Sequence, residues 1–304
     1  MLIRVSRFIM GEKNKDQVIH WVSGKGGVGK STVAAALAFS LARAGFKTLL
    51  VELGEKGFYR LVFNIEVGHE PREIHPRLSI ARWDGEECLK EYLLFLLKLE
   101  RIVDLFFENR VMKSLVQAAP GLKELALVGK LTSGIRGVGP TLPFDRIVVD
   151  SYATGHFRAL MESPQAIAKA IPVGPMGEQS RTIDSVLRSE HNSIYHVVVA
   201  PEELPVVEGL ELAKWIQEKF QIAPEMILNR WLTPPVTLEE MKNLPASEFL
   251  SYLRFLLERQ QSLENEILQQ TKKIKRVPYS WEFTALERLE RLAPLWEKEW
   301  KSAP

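Results

Sequence analysis

The sequence of 304 residues is poor in several features that would indicate particular classes of protein. It has one cysteine, Cys88, which excludes an internal disulfide framework and a zinc site made only of cysteines from one chain. It has no run of about 18 apolar residues, so we expect no helix that spans a membrane. Its net charge is only +2, which gives no strong field to attract nucleic acid, and we expect no nucleic-acid partner.

The N-terminal stretch MLIRVSRFIMGEKNKDQ lacks the apolar core of a secretory signal, because charged residues interrupt it every few positions. Translation can begin at Met1 or at Met10, and the sequence alone leaves both open. A scarcity of cysteine suits a reducing compartment. Together these features predict a cytoplasmic protein.

What is present is an ordinary globular composition, in which short apolar segments alternate with amphipathic ones. Strands are predicted at residues 17–23, 47–52, 78–83, 145–149, 194–200, 225–228 and 272–277. Helices are predicted at residues 30–43, 86–114, 121–134, 155–170, 177–189, 204–219, 246–271 and 282–299. This alternation predicts an α/β fold with a mostly parallel sheet that helices cover on both faces. We interpret residues 1–304 as one domain, from which the helical stretch 86–140 projects as an insertion.

The segment SGKGGVGKST, residues 23–32, follows the first predicted strand and begins the first predicted helix. It fits the pattern G-x-x-x-x-G-K-[ST] of a phosphate-binding loop (P-loop), whose glycines let successive N–H groups curl around phosphate oxygens. In this pattern Lys30 reaches the β- and γ-phosphates of ATP, and the hydroxyl of Ser31 binds Mg²⁺. The alternative is a glycine-rich turn without a ligand. The candidate nucleotide-binding residues of the loop are Gly24, Gly26, Gly27, Val28, Gly29, Lys30, Ser31 and Thr32.

A second lysine, Lys25, lies early in the same loop. It is either a solvated loop lysine or a residue whose side chain reaches the phosphates of a second subunit. The string KGGVGKS, residues 25–31, resembles the deviant P-loop of a group that includes arsenite-pump, tail-anchored-protein-targeting, division-site and chromosome-partitioning ATPases and nitrogenase iron protein. The first lysine of that loop acts across a dimer. The resemblance therefore implies a homodimer, or a heterodimer with a related ATPase, in which Lys25 acts in trans.

The segment DSYATGH, residues 150–156, follows the strand predicted at 145–149. An aspartate at the end of a buried strand, here Asp150, can hold a Mg²⁺-bound water. The segment resembles the second switch, D-x-x-x-T-G-H, of the arsenite-pump and tail-anchored-targeting branch, the ArsA-type family. The segments PEELPVVE (201–208) and APGLKEL (119–125) resemble further motifs of that branch. The same resemblance implies that Asn229 reads the adenine edge and that Pro278 belongs to a loop that packs against the base.

Each of these residues also has a simpler structural interpretation. Asp150 can cap a helix, and Asn229 can cap a strand turn. Glu202 and Glu208 can be solvated acids that suit the positive end of a helix. His156 can be a surface histidine, and we assign it at most a role in the switch.

The first switch departs from the family pattern. There the second strand ends in a motif like D-P-A-H, whose aspartate positions the attacking water, and an ungapped comparison puts Gly54 at that position. Glu52 and Glu55 lie close by, although a displacement of about 1 Å can cost ~10²-fold in rate. The candidate catalytic residues are Lys25, Lys30, Glu52 and Asp150; Glu52 can also be a structural strand-end acid. We predict an ATP-hydrolysing switch, or alternatively a nucleotide-binding regulatory or scaffold subunit with little hydrolysis.

The lone cysteine and the helical insertion bear on which partner such a switch would serve. The cysteine sites that bind metalloid or zinc in known members of the family are absent, since Cys88 stands alone. The insertion instead carries one strongly apolar helical stretch, which can be ordinary core and dimer packing, or a groove for the hydrophobic helix of a membrane-protein client. Its apolar residues are Leu93, Leu94, Phe95, Leu96, Leu97, Leu99, Ile102, Val103, Leu105, Phe106 and Phe107.

Overall fold

A computed structural model describes residues 13–54, 57–97, 121–234, 236, 238–245, 247–282 and 284–300. Eight strands form one sheet in the order β3-β4-β2-β5-β1-β6-β7-β8, and every neighbouring pair is parallel except β3 and β4. The strands are β1 (Val18–Gly24), β2 (Thr48–Leu53), β3 (Arg72–His75), β4 (Leu78–Trp83), β5 (Arg146–Ala153), β6 (Ser193–Val199), β7 (Glu225–Trp231) and β8 (Ile274–Pro278).

Helices cover both faces of this sheet and connect its parallel strands. They are α1 (Lys30–Arg43), α2 (Phe58–Phe63), α3 (Gly85–Leu97), α4 (Leu122–Leu131), α5 (Ser133–Arg136), α6 (Thr154–Ala170), α7 (Pro175–Leu187), α8 (Glu203–Phe220), α9 (Glu248–Gln270), α10 (Ala285–Leu292) and α11 (Pro294–Trp300), with a 3₁₀ turn at Glu240–Asn243. The predicted α/β architecture is confirmed.

Two apolar layers result from the alternation of side chains along the strands. Trp21 packs on one face with residues of α3, α4, α6, α7 and α8, whereas its neighbour Val22 packs on the other face with α1, α10 and α11. Helix α1 is buried on all sides from Val33 to Ala42, and its alanines let it lie close beneath the sheet. This packing fixes where α1 begins, and so where the P-loop lies.

Several element boundaries differ from the sequence predictions. β5 continues to Ala153, beyond the predicted end at Val149, because the chain stays paired with β1 up to Gly24. The stretch 282–299 is two helices, since the ring of Pro294 blocks a continuous turn and starts a new helix. The stretch 121–134 likewise divides after Leu131 into α4 and α5.

Two short elements, α2 and β3, were not predicted. β3 is an exposed or half-buried antiparallel edge strand without an apolar pattern, and α2 has the aromatic and branched composition of a strand. The predicted helix 86–114 is confirmed over α3, where Leu93 and Leu94 pack partly buried against the core. The rest of it, with the apolar residues from 98 to 107, lies outside the described residues, as do Met1, Met10 and Glu55. No helix in the described part of the chain is long and apolar enough to cross a membrane.

Candidate functional site

A glycine-rich loop connects the carboxyl end of β1 to Lys30, the first residue of α1, and close packing requires two of its glycines. Gly24 has φ 147°, and a Cβ there would lie 2.2 Å from the carbonyl oxygen of Val198. Gly29 has φ 90°, and a Cβ there would lie 2.2 Å from Nδ2 of Asn229. A side chain at either position would therefore push the loop away from β6 or β7.

The middle of the loop is open, in contrast to those packed ends. Gly26 and Gly27 are exposed, and a Cβ on either would meet no atom within 4 Å, whereas Val28 is buried beneath them. Thr32 is half-buried in the first turn of α1. Among the described residues, no side chain caps this helix, and its first turn has no acid. Its N-terminal N–H groups and the positive end of its dipole are thus available to an anionic ligand such as a phosphate.

The end of β7 holds the loop from one side. Asn229 donates from Nδ2 to the carbonyl oxygen of Val28 at 2.8 Å, and Arg230 donates from Nη2 to that of Gly27 at 2.9 Å. Arg230 adopts a left-handed backbone with φ 59°, which lets its exposed side chain turn back over the loop. Sequence analysis selected Asn229 but missed Arg230, because an exposed arginine near the end of a strand carries no signal of its own.

Lys30, the first residue of α1, contacts the start of the loop with its side chain. Its Nζ donates to the carbonyl oxygen of Lys25 at 3.1 Å. Burial lowers the pKa of Lys30, and the nearby carboxylate of Asp150 partly opposes this effect. The lysine side chain is therefore incompletely compensated, which favours an anionic ligand beside it.

Two carboxyl groups lie side by side at the carboxyl ends of β2 and β5, where Glu52 and Asp150 are register partners. Both are buried. Burial raises the pKa of Asp150 to about 6, although hydrogen bonds from Ser31 and Tyr59 and the charge of Lys30 act against it. Burial likewise raises the pKa of Glu52 to about 7. The hydrogen bond from the N–H of Phe58 opposes this rise, whereas repulsion from Asp150 adds to it. Paired acids of this kind favour a cation beside them.

Helix α2 connects these two acids through a tyrosine that sequence analysis missed. Tyr59 is fully buried, and its Oη lies 3.1 Å from Oδ2 of Asp150 and 2.9 Å from the carbonyl oxygen of Ser31. Its single hydroxyl proton can serve only one of these acceptors at a time. Oε1 of Glu52 accepts from the backbone N–H of Phe58 at 2.5 Å, at the start of α2. No local pattern could have revealed Tyr59, because its partners lie 28 and 91 residues away in sequence.

The position that the family pattern assigns to an aspartate has a backbone unusual for one. Gly54 has φ 108°, and a Cβ there would lie 3.4 Å from the ring of Tyr152. A left-handed backbone strains most other residues. Glu52 is thus the described acid of this strand end, and Glu55 lies outside the described residues.

Lys25 is paired within its own chain. Its Nζ lies 2.7 Å from Oε1 of Glu208 in α8, and the two side chains are 28% and 34% exposed. Lys25 therefore has an acidic partner in its own chain, and both interpretations of this lysine, as a solvated loop residue or as one that acts in trans, stay predictions. Glu208 is the last residue of the PEELPVVE segment, whose Glu202 is exposed and precedes α8.

The second switch segment is a strand end and a helix start rather than an open loop. Asp150 lies within β5, and α6 begins after Ala153, so the interpretation of Asp150 as a helix cap is wrong. The hydroxyl of Ser23 donates to the carbonyl oxygen of Tyr152 at 2.9 Å, which ties β5 to the start of the P-loop. The ring of Tyr152 meets that of His156 edge-on at 5.8 Å.

Pro278 ends β8 at the same edge of the sheet. It is the register partner of Trp231, whose carbonyl oxygen accepts from the N–H of Tyr279 at 2.8 Å. The site residues from β1, β2, β5, β7 and β8 therefore all lie at the carboxyl edge of one parallel sheet, where ligands of such folds bind.

Comparison with known proteins agrees with this geometry. Residues 17–174 match the model of a family described as anion-transporting ATPase, the ArsA ATPases. The chain belongs to this family. The protein called ATPase BagA from Mycobacterium tuberculosis is 32% identical over 245 residues, which cover 76% of this chain and 69% of that protein.

More distant members of the family match a smaller part of the chain. An arsenical pump-driving ATPase from Acidiphilium multivorum is 28% identical over 185 residues, or 59% of this chain and 31% of that protein. The ATPase ASNA1 homolog 1 of Paramecium tetraurelia is 23% identical over 159 residues, which cover 52% of this chain and 47% of that protein. Membership of this family indicates an ATP-binding and ATP-hydrolysing protein in general. The resemblance found in the motifs is thereby confirmed.

Proposed function

We propose that this member of the ArsA family is a Mg²⁺-dependent, dimeric ATPase that couples its nucleotide state to a membrane-related client. The observation that carries the proposal is the cluster at the carboxyl edge of the sheet. There Asn229 and Arg230 hold the P-loop, and Ser31, Asp150 and Tyr59 are hydrogen-bonded to one another beside it.

The residues present fit a bound Mg²⁺. Ser31 and Asp150 would hold it, and a buried carboxyl group whose pKa is raised by burial gains from a nearby cation. The described residues contain no group of three acidic, histidine or cysteine ligands, which suits a cation that keeps several waters and phosphate oxygens as ligands. When bound, Mg²⁺ neutralises charge on the β- and γ-phosphates.

The chain's own groups would do the rest by positioning and by charge stabilisation. The N–H groups of the P-loop and the ammonium of Lys30 bind the phosphates. Glu52 is the candidate to orient the attacking water, and its raised pKa near 7 suits a group that accepts a proton at neutral pH. Asn229 and Pro278 would border the adenine.

In the proposed dimer, Lys25 would act on the nucleotide of the second subunit. Its ion pair with Glu208 is partly exposed, so Lys25 can leave it at low cost and extend to the phosphates of a second subunit. We expect a homodimer, with a heterodimer of related ATPases as the other arrangement. Rearrangement of the segments at 52–57 and 150–156 on closure would move the helices between β4 and β5 and so a bound hydrophobic helix of a client.

A second candidate function is a nucleotide-binding regulatory or scaffold subunit with little hydrolysis. Two observations favour it. Gly54 occupies the position of the family aspartate, and Oε1 of Glu52 is engaged by the N–H of Phe58. If Glu52 remains a structural acid, ATP would bind without fast turnover.

Steady-state ATP hydrolysis and ATP binding, measured together on the purified protein, separate these functions. We expect Mg²⁺-dependent turnover that Lys30→Ala abolishes and Glu52→Gln strongly reduces. Lys214→Ala serves as the matched control, because Lys214 is an exposed lysine of α8 in a surface pair. Tight ATP binding without turnover would support the regulatory function, and absence of ATP binding would overturn both.

A further inference from the structure

A small cavity of about 20 Å³ lies among α3, α4, α7 and the segment that follows α5. Its polar wall includes Tyr92 from α3, Lys130 from α4, Arg136 from α5 and Gln179 from α7. None of these residues belongs to the nucleotide site described above. A cavity of this volume holds about one water molecule or one ion of similar size.

Arg136 brings a buried charge to this cavity, and no carboxylate among the described residues pairs with it. It is only 8% exposed. Its Nε donates to Oγ1 of Thr132 at 3.0 Å, and its Nη2 donates to the carbonyl oxygens of Gly129 at 2.8 Å and Val138 at 3.3 Å. These acceptors are all neutral, and the buried Nη1 has no hydrogen-bond partner in the part of the chain that the structure describes. Burial lowers the pKa of Arg136 to about 10, so the guanidinium is still charged at neutral pH.

Tyr92 adds a second unused donor. Its Oη is buried and also finds no hydrogen-bond partner among the residues described. Tyr92 and Arg136 line the same cavity, so the phenol and the guanidinium border one space. Burial raises the pKa of Tyr92, and the charge of Arg136 opposes that rise. Buried donors without an acceptor are costly, and two beside one cavity point to an acceptor bound there.

The other charged groups at the cavity already compensate one another. Nζ of Lys130 lies 2.7 Å from Oε2 of Glu91, whose Oε1 lies 2.8 Å from Nε2 of His69. Burial raises the pKa of Glu91, but His69 and Lys130 outweigh it and hold this pKa below its usual value. The carboxylate is thus ionised and engaged. Burial raises the pKa of the Cys88 thiol, which stays neutral. Of the three charged side chains in the described lining of the cavity, Glu91 and Lys130 pair with each other, and the charge of Arg136 is not paired.

We propose that this cavity binds a small monovalent inorganic anion of halide size, held between Nη1 of Arg136 and Oη of Tyr92. A water molecule would satisfy the two donors but leave the buried charge uncompensated. An anion accepts hydrogen bonds from the two donors and also compensates the charge of Arg136. It would also join α3 to α5 across the cavity and so stabilise the packing of the helices between β4 and β5.

Thermal unfolding in sodium chloride and in sodium gluconate, at equal ionic strength, tests the proposal on the intact chain. We expect chloride to raise the melting temperature in a saturable manner that gluconate does not reproduce. Tyr92→Phe keeps the fold and removes one donor, and should weaken the apparent chloride affinity at least about ten-fold. Arg136→Met should abolish the chloride effect.

A control variant and a crystallographic measurement complete the test. Tyr195→Phe is the matched control, because it removes a buried hydroxyl bonded at 2.8 Å to the carbonyl oxygen of Leu187, outside the cavity, and should leave the chloride dependence unchanged. Crystals soaked in sodium bromide should show an anomalous peak beside Arg136 and Tyr92. Stability that follows ionic strength alone, with no bromide peak in the cavity, would overturn the proposal and assign the site to water.

Discussion

The ion pair between Lys25 and Glu208 leads to the most direct prediction about dimer formation. If Lys25 acts on the partner's nucleotide, its bond with Glu208 competes with closure of the ATP-bound dimer. The two side chains are 28% and 34% exposed, and an ion pair of that exposure contributes about 0–1 kcal/mol. Removing the competing carboxylate in Glu208→Gln should therefore tighten ATP-dependent dimerisation by up to about five-fold.

The assay is the dimer dissociation constant from sedimentation equilibrium, with a non-hydrolysable ATP analogue and Mg²⁺. Glu218→Gln is the control, since Glu218 pairs with Lys214 on the surface of the same helix at 4.0 Å. It should leave the constant unchanged. If Glu208→Gln loosens the dimer while the ATP analogue still promotes dimerisation, Lys25 does not move from Glu208 to the partner's nucleotide.

Three further predictions concern the site itself. Gly29→Ala should lower the free energy of unfolding by roughly 1–3 kcal/mol through strain at φ 90°. Its control is Gly26→Ala, whose Cβ meets no atom within 4 Å and which should change that free energy by less than about 0.5 kcal/mol. Equal unfolding curves of the two variants in urea would contradict this. Tyr59→Phe should cost about 1 kcal/mol in the same assay, because the bond to Asp150 is lost; an unchanged midpoint would contradict it. Because burial raises the pKa of Glu52 from 4.5 to about 7, the folded state holds this proton more tightly than the unfolded state. The ligand-free protein should thus lose stability as pH rises through that range, and Glu52→Gln should lose less; parallel pH profiles would contradict the assignment.

The parts of the fold that the sequence predicts well are those that local patterns determine. The P-loop combines a buried strand, a glycine pattern and an alanine-rich helix within 27 residues, 17–43, so its position is evident without tertiary information. The seven predicted strands follow from short apolar runs, and all seven occur in the sheet. β3 shows the limit, because an exposed edge strand needs no apolar pattern.

Of the candidate site, only the residues that lie within a recognisable motif could be predicted from the sequence. Ser31, Lys30 and Asp150 lie in recognisable motifs, and the structure brings them together. Tyr59 and Arg230 escaped prediction because they act through contacts made by elements distant in sequence. β5 continues to Ala153, beyond its predicted end at Val149, because its pairing with β1 is a tertiary contact that the local sequence does not reveal.

The pairing of Lys25 with Glu208 shows the same limit. Both residues lie in segments that resemble family motifs, but 183 residues separate them in sequence, and nothing in either segment specifies the contact. Only the adjacency of β1 and β6 brings the start of α8 to the P-loop.

Mixing two inactive variants tests the central claim, a dimeric ATPase with a lysine that acts in trans, most directly. Lys25→Ala keeps its own P-loop lysine but cannot serve its partner, whereas Lys30→Ala has a disabled site but still carries Lys25. In an equimolar mixture half of the dimers are mixed and each has one complete site, so we predict recovery of about one quarter of wild-type ATP hydrolysis. A mixture as inactive as its two components, although both variants dimerise, would contradict the account.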